Sequence, residues 1–294
     1  MKLVLGTVQF GLPYGIANQV GQVSLAEGTS ILQLATACGI DTLDTAIAYG
    51  ESEQRLGQIG VKGWQIVSKL PPIPDGTAQP IRWVETEVAS SLQNLNVSSL
   101  YGLLLHRPLQ LLEQNGDQIY HGLQEVKKAG IVKKIGVSIY DPEELEILCD
   151  RFQFDLVQAP FNIIDHRLIE TGWMRRLAEH GIELHVRSVF LQGLLLMKSL
   201  DRPHKFNRWS TLFSRWDKWI QEVGLTPQEA CLRYVHSFPQ ISKIVVGVDS
   251  ANQLQELSAA TQGVLPEVPS GLFSTDSDLL NPANWNKLVL DTSA

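Results

Sequence analysis

Short apolar, β-prone runs recur along this chain, each followed by a stretch of helical periodicity, and no other feature limits its fold so strongly. The runs are Leu3–Gly6, Thr42–Asp44, Trp64–Leu70, Leu100–Leu105, Ile135–Ser138, Asp155–Gln158, Ile182–Arg187 and Lys243–Gly247. Their continuous apolar character reads as parallel strands covered on both faces. Helix signals fill the gaps. Ser24 and Glu27 have capping-box spacing ahead of an apolar face of Ile31, Leu34, Ala35 and Cys38, which Gly39 ends. Val84, Val88, Leu92 and Leu95 make a second face, and Pro142 reads as the first residue of a later helix. Thr226-Pro227-Gln228-Glu229 joins a cap, an N1 proline and an N3 glutamate. Segment 192–225 reads as a long irregular insertion after the seventh strand, and 263–294 as a tail over the surface.

Eight strand–helix units over 294 residues fit one domain, an eight-stranded parallel β/α (TIM) barrel. A doubly wound sheet would want G-x-G-x-x-G after its first strand and an acid about 20 residues on, and that pattern is absent. A formal charge of −7 with no basic run speaks against nucleic acid or an anionic membrane as partner. No apolar run reaches the roughly 18 residues of a membrane span, and the apolar part of Met1–Thr7 is too short for a signal peptide. Cys38, Cys149 and Cys231 lie in helix-like apolar settings without zinc-site spacing, which predicts buried reduced thiols in a cytoplasmic protein.

In such a barrel, chemistry gathers at the C-terminal ends of the strands. Asp44, Lys69, His106, Ser138, Gln158 and Arg187 end six different runs there. Singly, each has a plain structural role as helix cap, solvated cation, satisfied histidine or loop anchor. Together they are not what packing alone selects. Tyr49 follows in the loop after Asp44, where a phenol can face a cleft. Tyrosine, lysine, aspartate and histidine suit proton transfer to a carbonyl oxygen. A phenol ionises only near pH 10, so it is a weak acid at neutrality, and a neighbouring ammonium favours proton loss. Asp44 would hold Lys69 charged, and His106 would orient the carbonyl. No side chain donates hydride, so a redox cofactor is implied.

The motifs Leu43-Asp44-Thr45-Ala46-x-x-Tyr49-Gly50-x-Ser52-Glu53, Val67-Ser68-Lys69, Leu104-Leu105-His106-Arg107-Pro108, Lys134-Ile135-Gly136-Val137-Ser138 and Ile244-Val245-Val246-Gly247 resemble the aldo-keto reductase superfamily over almost the whole chain. The resemblance implies Tyr49 as general acid, supported by Lys69 and Asp44, with His106 orienting a small carbonyl substrate. It also implies a nicotinamide dinucleotide, usually NADPH, lying extended across the rim. Ser138 and Gln158 match the residues that hold the carboxamide. The turn Ser188-Val189-Phe190-Leu191-Gln192-Gly193 matches the pyrophosphate loop, and Glu256 an adenine contact. Gly6, Thr7, Asp44, Gly247, Val248 and Gln253 complete the cofactor set.

Several positions depart from the family pattern. Ile139 stands where asparagine is usual, and Arg187 where many members stack a tyrosine on the nicotinamide. A guanidinium can stack as well, but its charge disfavours the oxidised ring. In the segment that commonly grips the 2′-phosphate, Gly247 and Gln253 take basic positions, Leu257 takes that of the closing asparagine, and Asp249 adds an acid. NADH is therefore an alternative to NADPH. Only Met1-Lys2 precede the first strand, so the hairpin that usually plugs the barrel floor is missing.

Loop candidates for the substrate pocket are 12–23, 192–225 and the tail, with Trp209, Trp216 and Trp219 either walling the pocket or packing a short helix. The stretches Gln9–Asn18 and Arg187–Gly193 resemble bacterial members associated with sugar metabolism, which points to a sugar-like carbonyl. Two other readings compete with a reductase. One is a dinucleotide-binding, redox-responsive regulatory subunit with little turnover, and the other an aldolase or isomerase using Lys69 as a Schiff-base amine.

Overall fold

Strands β1 (Leu3–Gly6), β2 (Thr42–Asp44), β3 (Gln65–Leu70), β4 (Leu100–Leu105), β5 (Val132–Ser138), β6 (Leu156–Pro160), β7 (Glu183–Arg187) and β8 (Lys243–Gly247) pair in parallel and in chain order. β8 closes on β1 through Leu3 opposite Ile244 and Gly6 opposite Gly247, giving the eight-stranded barrel. The computed structural model describes residues 1–16, 18 and 20–288. Ala17, inside the Gln9–Asn18 stretch, and tail residues 289–294 lie outside the described residues.

Helices alternate with the strands: α1 (Val8–Gly11), α2 (Leu25–Ala37), α3 (Ser52–Ile59), α4 (Pro80–Leu95), α5 (Gly116–Lys128), α6 (Glu144–Arg151), α7 (Arg167–Glu170), α8 (Trp173–Glu179), α9 (Ser210–Val223), α10 (Pro227–His236), α11 (Ala251–Ala260) and α12 (Ser277–Leu280). The large core lies between strands and helices, where Ile31, Val84, Leu123, Leu148, Leu177 and Leu232 are fully buried. Inside the barrel, Val67, Leu104 and Leu156 form a separate small cluster. Among the described residues no helix is long and apolar enough to cross a membrane.

Several local expectations change. Segment 192–225 is not irregular, because 3₁₀ turns at 191–196, 199–201 and 204–209 lead into α9. Its tryptophans are staples: Nε1 of Trp216 donates to the Leu195 carbonyl at 3.2 Å, that of Trp219 to Glu267 at 3.1 Å, and that of Trp209 to the Asp276 carboxylate at 3.0 Å. Pro142 lies two residues before α6, whose start is set instead by Glu144 accepting the amides of Tyr140 and Asp141. The helix after β6 breaks into α7 and α8 at Gly172, which has φ +75°. Only Cys231 is fully buried; Cys38 and Cys149 are half-buried, and all three are free thiols.

The barrel floor is filled by charge. The Glu183 carboxylate accepts from the Tyr101 hydroxyl at 2.8 Å, contacts His185 Nε2 at 2.7 Å, and pairs with Lys134. On the same end, Lys243 pairs with Asp41 at 2.7 Å. Burial opposes the Glu183 charge, but hydrogen bonds from His185, Lys134 and Tyr101 outweigh it and hold the carboxyl at about 2. Stability from this group is full above the ordinary carboxylate range and is lost as pH falls through 2. Glu183→Ala strands Lys134 and His185 without their partner and should lower the unfolding free energy by about 3 kcal/mol in urea titrations at pH 7. The deficit should shrink towards pH 2.

Candidate active site

The loop carrying Tyr49 is held by β1 and β3. Past Asp44 the chain continues the sheet pairing, with the Thr45 amide on Val67 at 2.9 Å and the Ile47 amide on Lys69 at 3.2 Å. It then turns, the Tyr49 amide donating to Ala46 at 3.0 Å. From β1, Thr7 Oγ1 donates to the Asp44 carbonyl at 3.0 Å, and Ser52 Oγ reaches back to the Thr7 carbonyl at 2.8 Å. A Cβ on Gly11 would stand 1.7 Å from the Tyr49 carbonyl oxygen, so only glycine lets α1 lie this close to the loop. Buried Glu53 accepts from Ser68 at 2.6 Å and Ser91 at 2.7 Å, tying α3 to β3 and α4. That bond network gives the Ser52-Glu53 motif a structural role. His106, whose amide donates to Leu70 at 3.1 Å, meets the Tyr49 ring edge-to-face, centroids 5.8 Å apart at 81°.

Beneath this pair lies Lys69. Its Nζ is 2.8 Å from Asp44 Oδ2, 2.8 Å from the Thr45 carbonyl and 5.0 Å from the centre of the Tyr49 ring. Lys69 is only 1% exposed, so it underlies the cleft rather than ending on its rim. Desolvation works against its charge, yet the pull of Asp44 and of the Tyr49 oxygen prevails and holds the ammonium above the usual lysine range. An enclosed, protonated amine is no Schiff-base nucleophile. Asp44 is satisfied on its other oxygen by Gln158 Nε2 at 2.6 Å, and Gln158 Oε1 accepts from Ser138 at 3.2 Å. His106 is pushed down to about 4, first by burial and then by the charges of Lys69 and Arg187, so near pH 7 it is a neutral imidazole with one N–H to give.

These groups open into a cleft of about 380 Å³. Asp44, Tyr49 and His106 line it, as do Gly6, Thr7, Ser138, Gln158, Arg187, Ser188, Phe190, Gln192, Gly193, Gly247, Gln253 and Glu256. Val248 does not. Gly247 faces inward in register with Gly6, so the next residue turns away, and Val248 is buried in the outer core. Gln9, Tyr14 and Asn18 come from the Gln9–Asn18 stretch and the 12–23 loop that the sequence singles out as segments, whereas Tyr140 and Gln228, on a loop and a helix start, carry no strand-end signal and were missed. Among the described residues the tryptophans and the tail stay out of the cleft. Arg187 does not hang free: its guanidinium lies 4.6 Å over the Tyr140 ring and donates to the Ile139 carbonyl at 2.9 Å. A larger depression, about 600 Å³, lies outside beside α5 and holds none of these groups.

Two features fit a nicotinamide dinucleotide. Ser188, Leu191 and Gln192 all have positive φ, near +60°, +48° and +52°, a costly conformation held in a turn whose Ser188, Phe190, Gln192 and Gly193 line the cleft. Gln9 Oε1 is buried beside the cleft with no partner among the described residues, an acceptor available to a ligand.

Lys69→Met should cost about 3–5 kcal/mol of unfolding free energy, because Asp44 is left buried without its counter-charge. Adding Asp44→Asn should recover part of that loss, and strictly additive costs in the double-mutant cycle would contradict the coupling. Because the folded state refuses a proton at His106 that the unfolded state takes, stability should be full above pH 6.5 and decline as pH falls towards 4. His106→Asn should remove that part of the slope in urea titrations across the same range.

Residues 2–268 match the model of the Aldo/keto reductase family. An uncharacterized oxidoreductase, YqkF, of Bacillus subtilis (strain 168) is 25% identical over 271 residues, covering 81% of this chain and 85% of that protein. A protein of Arabidopsis thaliana named a probable voltage-gated potassium channel subunit beta is 22% identical, over 86% of this chain and 87% of its own. Among solved structures, the holo form of aldo-keto reductase AKR11C1 from Bacillus halodurans superposes with a TM-score of 0.70 at 19% identity, over 90% of this chain and 88% of that one. The chain belongs to the aldo/keto reductase family and is an NAD(P)H-dependent oxidoreductase acting on carbonyl groups.

Proposed function

We propose that this protein reduces an aldehyde or ketone of a sugar-like compound to the alcohol, with Tyr49 as proton donor. The observation that carries this reading is the stack at the cleft floor: phenol and neutral imidazole edge-to-face, over an ammonium fixed by Asp44. A reduced nicotinamide dinucleotide, when bound, supplies the hydride. His106 donates a hydrogen bond to the carbonyl oxygen and orients it. Tyr49 gives its phenolic proton to that oxygen as the carbonyl carbon gains hydride, so the product leaves as a neutral alcohol. Lys69, tied to Asp44, stabilises the phenolate left behind. Ser138, Gln158, Gly6, Thr7 and the Ser188–Gly193 turn are the residues we assign to holding the dinucleotide, while Tyr14 and Gln228 offer polar groups to a hydroxylated substrate. The free thiols agree with a cytoplasmic setting.

The likeness to the plant channel subunit favours a second reading, a dinucleotide-bound regulatory subunit. Turnover separates the two. Wild-type protein should oxidise the reduced dinucleotide steadily with a panel of small aldoses and aldehydes, and Tyr49→Phe should cut that rate by about 10²–10⁴-fold while dinucleotide binding stays within a few-fold. An unchanged rate in Tyr49→Phe would sink the assignment. Tight binding without turnover in the wild type would favour the regulatory reading.

A further inference from the structure

The two ends of the cleft differ in charge. At the Tyr49 end stands Arg187, the one lysine or arginine among the lining residues. The opposite end is walled by Asn18, Asp249, Gln253, Glu256 and Leu257, with two carboxylates and no cation. Helix α11 starts there. A helix N-terminus ordinarily presents free amides and a positive dipole end to an anion. Here most of those donors are already taken: the Ala251 amide by Glu27 Oε1 at 2.7 Å, the Gln253 amide by Ser250 Oγ at 3.2 Å, and the preceding Asp249 amide by Gln253 Oε1 at 2.7 Å, which leaves the Asn252 amide of the first turn.

Glu27 is the telling member. Local sequence gives it a capping-box role at the start of α2, and half of that box forms, with Ser24 Oγ accepting the Glu27 amide at 3.2 Å. The carboxylate does not return to Ser24. It crosses to α11, 224 residues away in sequence, and takes an amide of the first turn, adding a negative charge just behind the cleft wall. Asp249 stands beside it, one oxygen accepting from Asn18 Nδ2 at 3.1 Å, the other without a protein donor among the described residues.

If hydride is delivered at the Tyr49 end, the adenosine half of an extended dinucleotide reaches this acidic end. NADPH differs from NADH by one phosphate on that ribose, a near-dianion at neutral pH. It would face Asp249 and Glu256, with Glu27 behind them on the first turn of α11 and no lysine or arginine among the residues that line this end. An unphosphorylated ribose instead has a diol that can donate to a carboxylate. We propose that this end of the cleft selects NADH over NADPH, with Glu27 and Asp249 as its specificity-determining residues; the inference rests on the dinucleotide reading above.

Parallel titrations of the full-length protein with NADH and NADPH, followed by tryptophan fluorescence and calorimetry without any carbonyl, test it. NADH should bind at least about 30-fold more tightly, near 2 kcal/mol by the tenfold-per-1.4 kcal/mol rule. Glu27→Gln with Asp249→Asn should narrow the ratio at least tenfold, chiefly by tightening NADPH. Should that pair unfold the protein, Asn252→Arg at an exposed position of α11 adds a cation without removing a carboxylate and should tighten NADPH several-fold with NADH little changed. Equal or tighter NADPH binding in the wild type overturns the inference and leaves the dinucleotide reading standing. Binding of neither overturns that reading. An NADH preference untouched by the variants overturns the roles of Glu27 and Asp249.

Discussion

One buried ion pair organises the upper half of this barrel. Lys69 is an ammonium with 1% exposure, and removing such a charge from water costs several kcal/mol unless its partners are well placed. They come from three strands. Asp44 ends β2, Gln158 of β6 completes the carboxylate, and Ser138 of β5 completes Gln158. Each bond depends on the register that sets Gly6 beside Asp44 and Ser138 beside Gln158. A well-packed apolar substitute would serve stability as well or better, so the pair makes most sense as the support of Tyr49, whose ring lies 5.0 Å from the ammonium.

The opposite end answers the same problem differently. Glu183 gathers Tyr101, Lys134 and His185 into a plug at the N-terminal ends of the strands. Between plug and ion pair sits the thin apolar layer of Val67, Leu104 and Leu156. The barrel interior is thus polar, apolar and polar along its axis. Its rigidity passes to the Tyr49 loop through Thr7, Ser52 and the close approach of Gly11.

The strands, and the polar residues that end them, were legible because each signal is local: an apolar run, then an ionisable group where burial alone would not choose one. Asp44, Lys69 and His106 declare themselves in that way. What could not be read depends on distant partners. Nothing near Glu27 tells that its carboxylate belongs to α11, and nothing near Lys134 or Glu183 tells that they meet on one floor, since both facts wait on barrel closure. Val248 stands in the outer core and not in the cleft lining, because side chains alternate inward and outward at the end of β8 and a match of positions does not convey that alternation. Helix α9 was legible only as one of two options, a short helix packed by Trp216 and Trp219, although Phe213, Trp216, Trp219, Ile220 and Val223 keep helical spacing through its 14 residues.

The most direct test of the central claim, hydride transfer to a carbonyl above the Tyr49–Lys69 stack, follows an isotope. The wild-type protein would be mixed with a reduced dinucleotide deuterated at the nicotinamide C4 and with an aldose, and the product analysed by mass spectrometry. Hydride transfer predicts one deuterium on the new carbinol carbon and a matching loss from the dinucleotide. Deuterium retained on a tightly bound dinucleotide, with the sugar unchanged across the aldehyde and aldose panel, would contradict it.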